Sequence, residues 1–144
     1  MNDNKLILIV EDSDDDYYAT NRAFKKDGNL SNPIVRCEDG QEALNYLSQE
    51  WTPSHPKPAM ILLDLNLPGL DGRLVLKEIK NTRRLANIPI VVLTTSDDEK
   101  DIEECYDLGA NTYIQKPVKL ESLFDAVQKL KDYWFQIAIL PKGD

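Results

Sequence analysis

Acidic residues, two hydroxyls and a lysine follow directly on short apolar segments of this 144-residue chain. These residues are Glu11, Asp12, Asp64, Thr94, Thr95 and Lys116. Carboxylates that share one site repel each other, and the repulsion is large where water is partly excluded. A divalent cation with oxygen ligands relieves that repulsion, and Mg2+ suits a site of this kind. The residue types therefore predict a cation site, provided that the fold brings them together.

Asp64 is the candidate nucleophile of such a site. A carboxylate can attack phosphorus and form an aspartyl-phosphate. Phosphoryl transfer needs a cation and further groups that take up negative charge around the transferred group. Lys116 and Thr94 supply an ammonium and a hydroxyl, so this set of residues is suited to phosphoryl transfer.

Five apolar segments alternate with amphipathic ones, and each apolar segment has the length and composition of a buried strand. The predicted strands cover residues 5–10, 33–37, 59–64, 88–95 and 111–115. The predicted helices cover residues 14–26, 41–49, 72–80 and 97–108, and the last begins at Leu120. Strands without polar alternation that are joined by helices predict a parallel (βα)5 sheet covered on both faces. Ligands of such sheets bind at the carboxyl ends of the strands, where the candidate residues stand.

Local signals mark several element ends. Asp27–Gly28 predicts the stop of the first helix, and Ser96 is the expected cap of the fourth. Residues 14–16 are three acids in a first helical turn, where the helix dipole favours negative charge, and we expect them to be solvated. The proline-rich segment 51–58 has no periodicity and is predicted to be a loop in which His55 faces solvent.

Composition excludes several classes of protein. Hydrophobic residues make up 42% of the chain, but no apolar run approaches the about 20 residues that span a bilayer. The formal net charge of -8 opposes direct binding of nucleic acid. Cys37 and Cys105 lack a zinc-binding spacing and are predicted to be free thiols in a reducing compartment. The N-terminus does not read as a signal peptide, so we expect a cytoplasmic protein without a membrane association.

The chain resembles the receiver domain of a two-component response regulator. The matching residues are Glu11–Asp12, the run DLNLPGLDG from Asp64 to Gly72, Thr94 and Lys116–Pro117. Asp64 and Thr94 are 30 residues apart, Thr94 and Lys116 are 22 apart, and both spacings are those of the family. The resemblance implies a CheY-like, flavodoxin-like doubly wound sheet of five parallel strands in the order 2-1-3-4-5. It assigns residues 1–132 to the receiver domain.

The resemblance also assigns a phosphoacceptor and its metal ligands. By it, Asp64 accepts a phosphoryl group from a sensor histidine kinase. Asp12 and Asp64 bind Mg2+, Glu11 binds it mainly through a water, and Asn66 contributes its backbone carbonyl. Mn2+ can take the place of Mg2+. The protein is then not an enzyme toward other substrates, although it catalyses its own phosphorylation from phosphohistidine and its own dephosphorylation.

Three further roles follow from the same resemblance. Lys116 pairs with the phosphoryl group, and its peptide bond to Pro117 is expected to be cis. Thr94 hydrogen-bonds a phosphoryl oxygen and moves inward. Tyr113 is the aromatic residue that swings with it, so that the face built by the fourth helix, the fifth strand and the fifth helix changes shape.

Two other acidic motifs compete for the Asp64 segment. An EF-hand loop would need a ligand where Pro68 stands and a glutamate where Val75 stands. A phosphatase of the haloacid dehalogenase type would need a second aspartate where Asn66 stands. A phosphorylation-independent scaffold remains an alternative, although the complete set of acids, threonine and lysine argues against it. A shuttle that passes phosphate on to a histidine phosphotransfer protein would use the same site.

The C-terminal segment 133–144 is unusually apolar. In the last helix, Leu123, Val127, Leu130, Trp134 and Ile137 recur at helical spacing and are predicted to face inward. Exposed apolar clusters mark partner surfaces, so we predict a homodimer interface here, with a tail folded back on its own domain as the alternative. The predicted interface residues are Tyr133, Trp134, Phe135, Ile137, Ile139 and Leu140.

The long proline-rich loop and the short FQIAILP ending narrow the resemblance further. They are similar to single-domain regulators that partner bacterial phytochrome histidine kinases. A phytochrome-type kinase is therefore the expected phosphodonor, and a downstream phosphotransfer or effector protein is the expected receiver of the signal.

Overall fold

The computed structural model describes residues 5–25 and 32–141, and within them strands alternate with helices. The strands are β1 (Leu6–Val10), β2 (Ile34–Cys37), β3 (Pro58–Leu63), β4 (Ile90–Thr94) and β5 (Thr112–Gln115). The helices are α1 (Asp14–Lys25), α2 (Gly40–Leu47), α3 (Gly72–Asn81), α4 (Glu99–Asp107) and α5 (Leu120–Asp132), and a π-helical turn (Tyr133–Ile137) continues α5. The strands pair in parallel in the order β2-β1-β3-β4-β5, which confirms the predicted fold.

The sheet separates two hydrophobic layers. Alternate residues of β1 show the division, because Ile7 and Ile9 pack on the side of α1 and α5 while Leu8 and Val10 pack on the side of α2 and α3. All residues of β1 and β4 are buried, as expected of central strands that carry helices on both faces. Among the described residues, no helix has the length and apolar character needed to cross a bilayer.

Helix caps explain where the helices begin. Asp39, Asp71 and Asp98 each accept a hydrogen bond from a backbone amide of the helix that follows. The predicted cap of α4 was therefore wrong, because Asp98, not Ser96, occupies the extended position before the helix. The Ser96 hydroxyl instead donates to Asp101 Oδ2 at 2.8 Å. The predicted stop of α1 at Asp27–Gly28 lies outside the described residues.

The segment 51–58 is more ordered than its sequence indicates. Thr52 and His55 exchange backbone hydrogen bonds of 3.0 and 2.9 Å. The imidazole of His55 contacts the Tyr46 ring at 4.1 Å between centroids and stacks on Trp51 at 5.9 Å. The guanidinium of Arg84 lies over the Trp51 ring, 4.2 Å from its centroid. His55 is thus half-buried, and the prediction of a solvated side chain was wrong because aromatic neighbours are available to cover it.

Both cysteines are buried free thiols, as predicted. Burial raises the pKa of Cys37 to about 12 and that of Cys105 to about 11. Because the thiolate is the reactive form, neither side chain is poised for redox or nucleophilic chemistry at neutral pH.

The π-helical turn changes which residues of the C-terminal segment face the core. Leu123, Val127 and Leu130 are buried as predicted, and Trp134 is half-buried against the same core. The inward prediction was wrong for Ile137, which is exposed, and Phe135 is buried instead. The backbone amide of Ala138 bonds the carbonyl of Tyr133, five residues earlier, at 2.7 Å. A turn of this width moves the inward position by one residue relative to an α-helix.

Gly72 fixes the turn that follows β3. A Cβ atom at this position would lie 2.6 Å from the Leu65 Cα and closer still to the backbone oxygen of Asp64. The Gly72 amide donates to the Leu65 carbonyl at 3.0 Å, which holds the start of α3 against the end of β3. The missing side chain therefore determines how the backbone of Asp64 is supported.

We predict that Gly72→Ala lowers the free energy of unfolding by about 1–3 kcal/mol, because backbone atoms must move to admit the methyl group. Urea denaturation followed by circular dichroism measures the change. Gly69→Asn is the matched control, since Gly69 has a φ of 71° but no atom near its Cβ position, and asparagine tolerates this conformation. Equal stability of Gly72→Ala and the unsubstituted protein would contradict the steric account.

Candidate functional site

The carboxyl end of β3 places Asp64 in a buried position between two neighbouring strands. Its amide donates to the Val10 carbonyl at 3.1 Å, which continues the pairing of β3 with β1. Its side chain accepts two hydrogen bonds of 3.1 Å, from the Asn66 amide at Oδ1 and from the Lys116 ammonium at Oδ2. Only 6% of the residue is exposed. The carboxylate is therefore held in one orientation at the sheet edge.

Glu11, Asp12 and Asp64 form an acidic group. Each offers a carboxylate oxygen, and these oxygens lie within 4.8 Å of one another. Glu11 and Asp64 are buried, whereas Asp12 is exposed to solvent. Converging oxygen ligands with solvent on one side fit a hard divalent cation that keeps some of its waters, as Mg2+ does. The predicted carboxylate ligands are thus brought together, and the backbone carbonyl of Asn66 stays a prediction.

Lys116 is enclosed by carboxylates. Its ammonium donates to Glu11 Oε1 at 2.7 Å, to Asp16 Oδ2 at 2.9 Å and to Asp64 Oδ2 at 3.1 Å. Burial opposes its charged form, but the hydrogen bonds to Glu11 and Asp16 and the charge of Asp64 outweigh burial and raise the pKa of Lys116. The lysine is therefore a fixed positive charge at the predicted phosphoacceptor.

Glu11 is the carboxylate that burial affects most. Burial raises its pKa from 4.5 to about 7, while the hydrogen bond from Lys116 acts in the opposite direction. The charge of Asp64 adds to the increase. A proton therefore competes with a cation for Glu11 near neutral pH, since cation binding favours the ionised carboxylate.

Thr94 and Tyr113 occupy different places around this group. Thr94 is fully buried, and its Oγ1 accepts from the Asn66 side-chain amide at 3.4 Å, which puts the hydroxyl beside the acidic group. Tyr113 is half-buried, and its hydroxyl donates to the Ser96 carbonyl at 3.0 Å in the loop between β4 and α4. Tyr113 therefore contacts the segment that follows Thr94 and not the acidic group itself.

The expected cis bond between Lys116 and Pro117 is contradicted. The described residues contain no cis peptide bond. The trans isomer is the intrinsically favoured one before proline. With this trans bond the Lys116 ammonium lies 3.1 Å from Asp64 Oδ2.

Two residues of the site were missed at the level of sequence. Asp16 was grouped with solvated acids, yet it bonds Lys116 and lies three and four residues before the buried Ala19 and Thr20. That helical spacing puts Asp16 on the inward face of α1 and was the signal available. Arg73 was not considered, and it links α3 to α4 through Asp101 Oδ1 at 2.5 Å. Its sequence context gives no such indication.

The sequence pattern of the family described as "Response regulator receiver domain" matches residues 7–128. The chain belongs to this family. Phosphorylation of an aspartate in the presence of Mg2+ is typical of receiver domains, and the acidic group with Lys116 is the place in this chain where that chemistry fits.

Similar proteins cover nearly the whole chain. "Response regulator Rcp1" of Synechocystis sp. is 40% identical over 141 residues, which are 97% of this chain and 95% of that protein. The crystal structure of the phosphorylated cyanobacterial phytochrome response regulator RcpA has a TM-score of 0.90 at 42% identity, over 96% of this chain and 99% of that chain. The Mn2+-bound form of Rcp1 has a TM-score of 0.89 at 40% identity, with the same coverage.

We predict that the apparent affinity for Mg2+ falls roughly tenfold between about pH 8 and about pH 6, because Glu11 must lose its proton to join the ligands. Calorimetric titration at several pH values measures the effect. The raised pKa has a second consequence: without metal, Glu11 should lower the stability of the fold as pH rises from about 4.5 to about 7.

The control for this prediction is Glu11→Gln, which cannot ionise. Its affinity for Mg2+ should be weaker at every pH and should change much less between the two pH values. An affinity of the unsubstituted protein that stays constant over this range would contradict the assignment of Glu11.

Proposed function

We propose that Asp64 accepts a phosphoryl group from the phosphohistidine of a sensor histidine kinase, so that the protein acts as a phosphorylation-dependent switch. The observation that supports this function is the position of Asp64. Its buried carboxylate lies 3.1 Å from the Lys116 ammonium and within 4.8 Å of the oxygens of Glu11 and Asp12. The chain belongs to the receiver family, whose members are typically phosphorylated on an aspartate, and this supports the same reaction at Asp64.

The transfer exchanges one bond to phosphorus for another. A carboxylate oxygen of Asp64 attacks phosphorus, an O–P bond forms, and the N–P bond of the donor histidine breaks with its electron pair returning to the imidazole. Hydrolysis reverses the modification, because water attacks the acyl phosphate and releases inorganic phosphate and the Asp64 carboxylate. The transfer consumes the phosphohistidine of the kinase, whose released imidazole takes up a proton, and the hydrolysis consumes one water.

The residues around Asp64 have distinct tasks in this proposal. Lys116 turns its ammonium toward an equatorial phosphoryl oxygen, and the Thr94 hydroxyl donates to another. Glu11, Asp12 and the carbonyl of Asn66 would hold Mg2+, or Mn2+ in its place, together with Asp64. When bound, the cation would neutralise part of the negative charge of the transferred group.

The phosphoryl signal leaves the site through the loop between β4 and α4. Movement of Thr94 would displace Ser96, whose carbonyl accepts from Tyr113 and whose hydroxyl donates to Asp101. The face from Asp98 to Trp134, built by α4, β5 and α5, would then change its contacts with a partner. Only the differential contacts of the phosphoryl group can supply the free energy of this shift.

A phytochrome-type kinase is the proposed donor. The support is that the similar protein RcpA is described as a phytochrome response regulator and matches this chain over 96% of its length. A two-component pathway with this kinase would require a downstream phosphotransfer or effector protein as the second partner. We also propose a cytoplasmic location, and the support is that both cysteines are free thiols, which stay reduced in that compartment.

Incubation with acetyl phosphate and Mg2+ should add one labile phosphoryl group to the protein, and Asp64→Asn should abolish the adduct, because the nucleophile is removed. Mass spectrometry of the intact protein measures both.

The proposed partner is tested with two phosphorylated kinases as donors. A phytochrome-type kinase should transfer its phosphoryl group to this protein faster than an unrelated kinase does.

The matched control is Asp15→Asn, which alters an exposed aspartate of α1. It should keep the full yield of the adduct. If the unsubstituted protein gains no adduct from any donor, the phosphorylation-independent scaffold becomes the better description of the chain.

We also propose that residues 1–132 form the receiver unit and that segment 133–144 contributes to a homodimer interface. Tyr133, Ile137 and Ile139 are exposed by 52%, 71% and 98%, which is unusual for apolar side chains so close together. Phe135 and Leu140 are 3% and 8% exposed and pack in the core of their own domain. Phe135 and Leu140 therefore fold back on their own domain, and the proposed interface is limited to the exposed residues Tyr133, Ile137 and Ile139.

Ile139→Asp should shift the protein toward the monomer, because a carboxylate opposes burial of this surface in a dimer. Light scattering with and without beryllofluoride measures the mass and shows whether association depends on the switch. The control is Gln49→Asp, which adds a carboxylate at an exposed position after α2, outside the proposed interface, and should leave the mass unchanged. A monomeric unsubstituted protein in both conditions would refute the dimer.

A further inference from the structure

Three hydrogen-bond donors of Lys116 meet three carboxylates. Glu11, Asp16 and Asp64 accept from its ammonium at 2.7, 2.9 and 3.1 Å, and the lysine side chain is 3% exposed. An ammonium carries three N–H groups, so these contacts use all of them. Any new contact of Lys116 therefore requires that one carboxylate give up its hydrogen bond.

Two of the three carboxylates have other tasks when the site is loaded. Glu11 belongs to the acidic group that can hold a cation, and Asp64 belongs to it as well. Asp64 also loses a carboxylate charge when its oxygen bonds phosphorus. Asp16 stands outside the acidic group formed by Glu11, Asp12 and Asp64, so neither event alters it directly.

The first turn of α1 holds Asp16 in place. Its backbone amide donates to Ser13 Oγ at 3.2 Å, and its carbonyl accepts from Thr20 Oγ1 at 2.8 Å. Its side chain is 24% exposed, which is enough for contact with solvent but leaves the bond to Lys116 sheltered on one side. The helix therefore presents a carboxylate at a fixed position beside the lysine.

We propose that Asp16 is a positioning residue for Lys116 in the phosphorylated state. Its carboxylate retains one N–H group of the ammonium while the other two are shared between Glu11 and a phosphoryl oxygen. The lysine then approaches the phosphoryl group from a defined direction. Its side chain is already ordered before phosphorylation, so no further conformational entropy is lost when it contacts the phosphoryl oxygen. This inference rests on the function proposed for Asp64.

A pair of substitutions separates the hydrogen bond of Asp16 from its charge. Asp16→Asn removes the charge but keeps an oxygen that accepts from the ammonium, whereas Asp16→Ala removes both. The full chain is titrated with beryllofluoride, a mimic of the phosphoryl group, at saturating Mg2+, and binding is followed by fluorine NMR. Calorimetry with Mg2+ alone and thermal unfolding are measured on the same samples.

We expect Asp16→Ala to bind beryllofluoride roughly 3- to 10-fold more weakly than Asp16→Asn, the effect of one charge-assisted hydrogen bond at a partly exposed site. The two variants should bind Mg2+ alone with similar affinity, because the charge is missing from both. Their thermal midpoints should also agree. Asp15→Ala removes a carboxylate from the same turn and should bind beryllofluoride as the unsubstituted protein does.

Each other outcome counts against the proposal in a recognisable way. Equal beryllofluoride affinities of Asp16→Ala and Asp16→Asn would show that the hydrogen bond does not position Lys116. A loss of Mg2+ affinity or thermal stability in Asp16→Ala that parallels the loss of beryllofluoride binding would show a merely structural role. Absence of beryllofluoride binding in the unsubstituted protein would instead overturn the proposed function, and the role of Asp16 with it.

Discussion

The imbalance of charge around Lys116 is the constraint on which the site depends. Three carboxylates accept hydrogen bonds from one ammonium, and a fourth carboxylate, the exposed Asp12, belongs to the same acidic group. A buried ion pair is stabilising only when its geometry satisfies the groups taken from water. Here the lysine is satisfied, but the carboxylates remain in excess. The surplus negative charge favours cation binding, and burial, with the charge of Asp64 added, raises the pKa of Glu11 to about 7.

The fold creates this imbalance by joining distant parts of the chain. Lys116 follows β5 and Glu11 follows β1, so 105 residues separate two groups that lie 2.7 Å apart. β1 consists of buried apolar residues only, whereas β5 reads TYIQ and is partly exposed, so both strands contribute backbone geometry while the charged groups follow their ends. Gly72 adds a local condition, because the backbone of α3 approaches Asp64 so closely that a side chain cannot be placed between them.

Strand ends were predictable from the sequence, and most of the site was predictable with them. Asp64, Glu11 and Lys116 stand directly after apolar segments, and a parallel sheet must collect such positions at one edge. The role of Asp16 needed the orientation of α1 as well, since the same three acids would be solvated if the helix were rotated. His55 was misjudged for a related reason: its aromatic neighbours come from α2 and from the loop itself, and a prediction from composition does not see them.

The C-terminal segment shows where periodicity stops being a guide. A helical stripe correctly identified Leu123, Val127 and Leu130 as core residues. Within the wider turn after Asp132, however, Phe135 is buried while Ile137, the last position of the stripe, is exposed. The Lys116–Pro117 bond also differs from expectation, since the described residues contain no cis peptide bond. Neither feature has a signal in the spacing of apolar residues.

The wider turn also affects how the exposed surface of the C-terminal segment can change between related chains. One additional residue in a helical turn rotates everything after it by about 100°. Deletion or gain of a single amino acid near Asp132 would thus bring a new set of side chains outward without any substitution among them. Relatives with identical tails could then recognise different partners, and the length of this turn would be inherited as a specificity determinant in its own right.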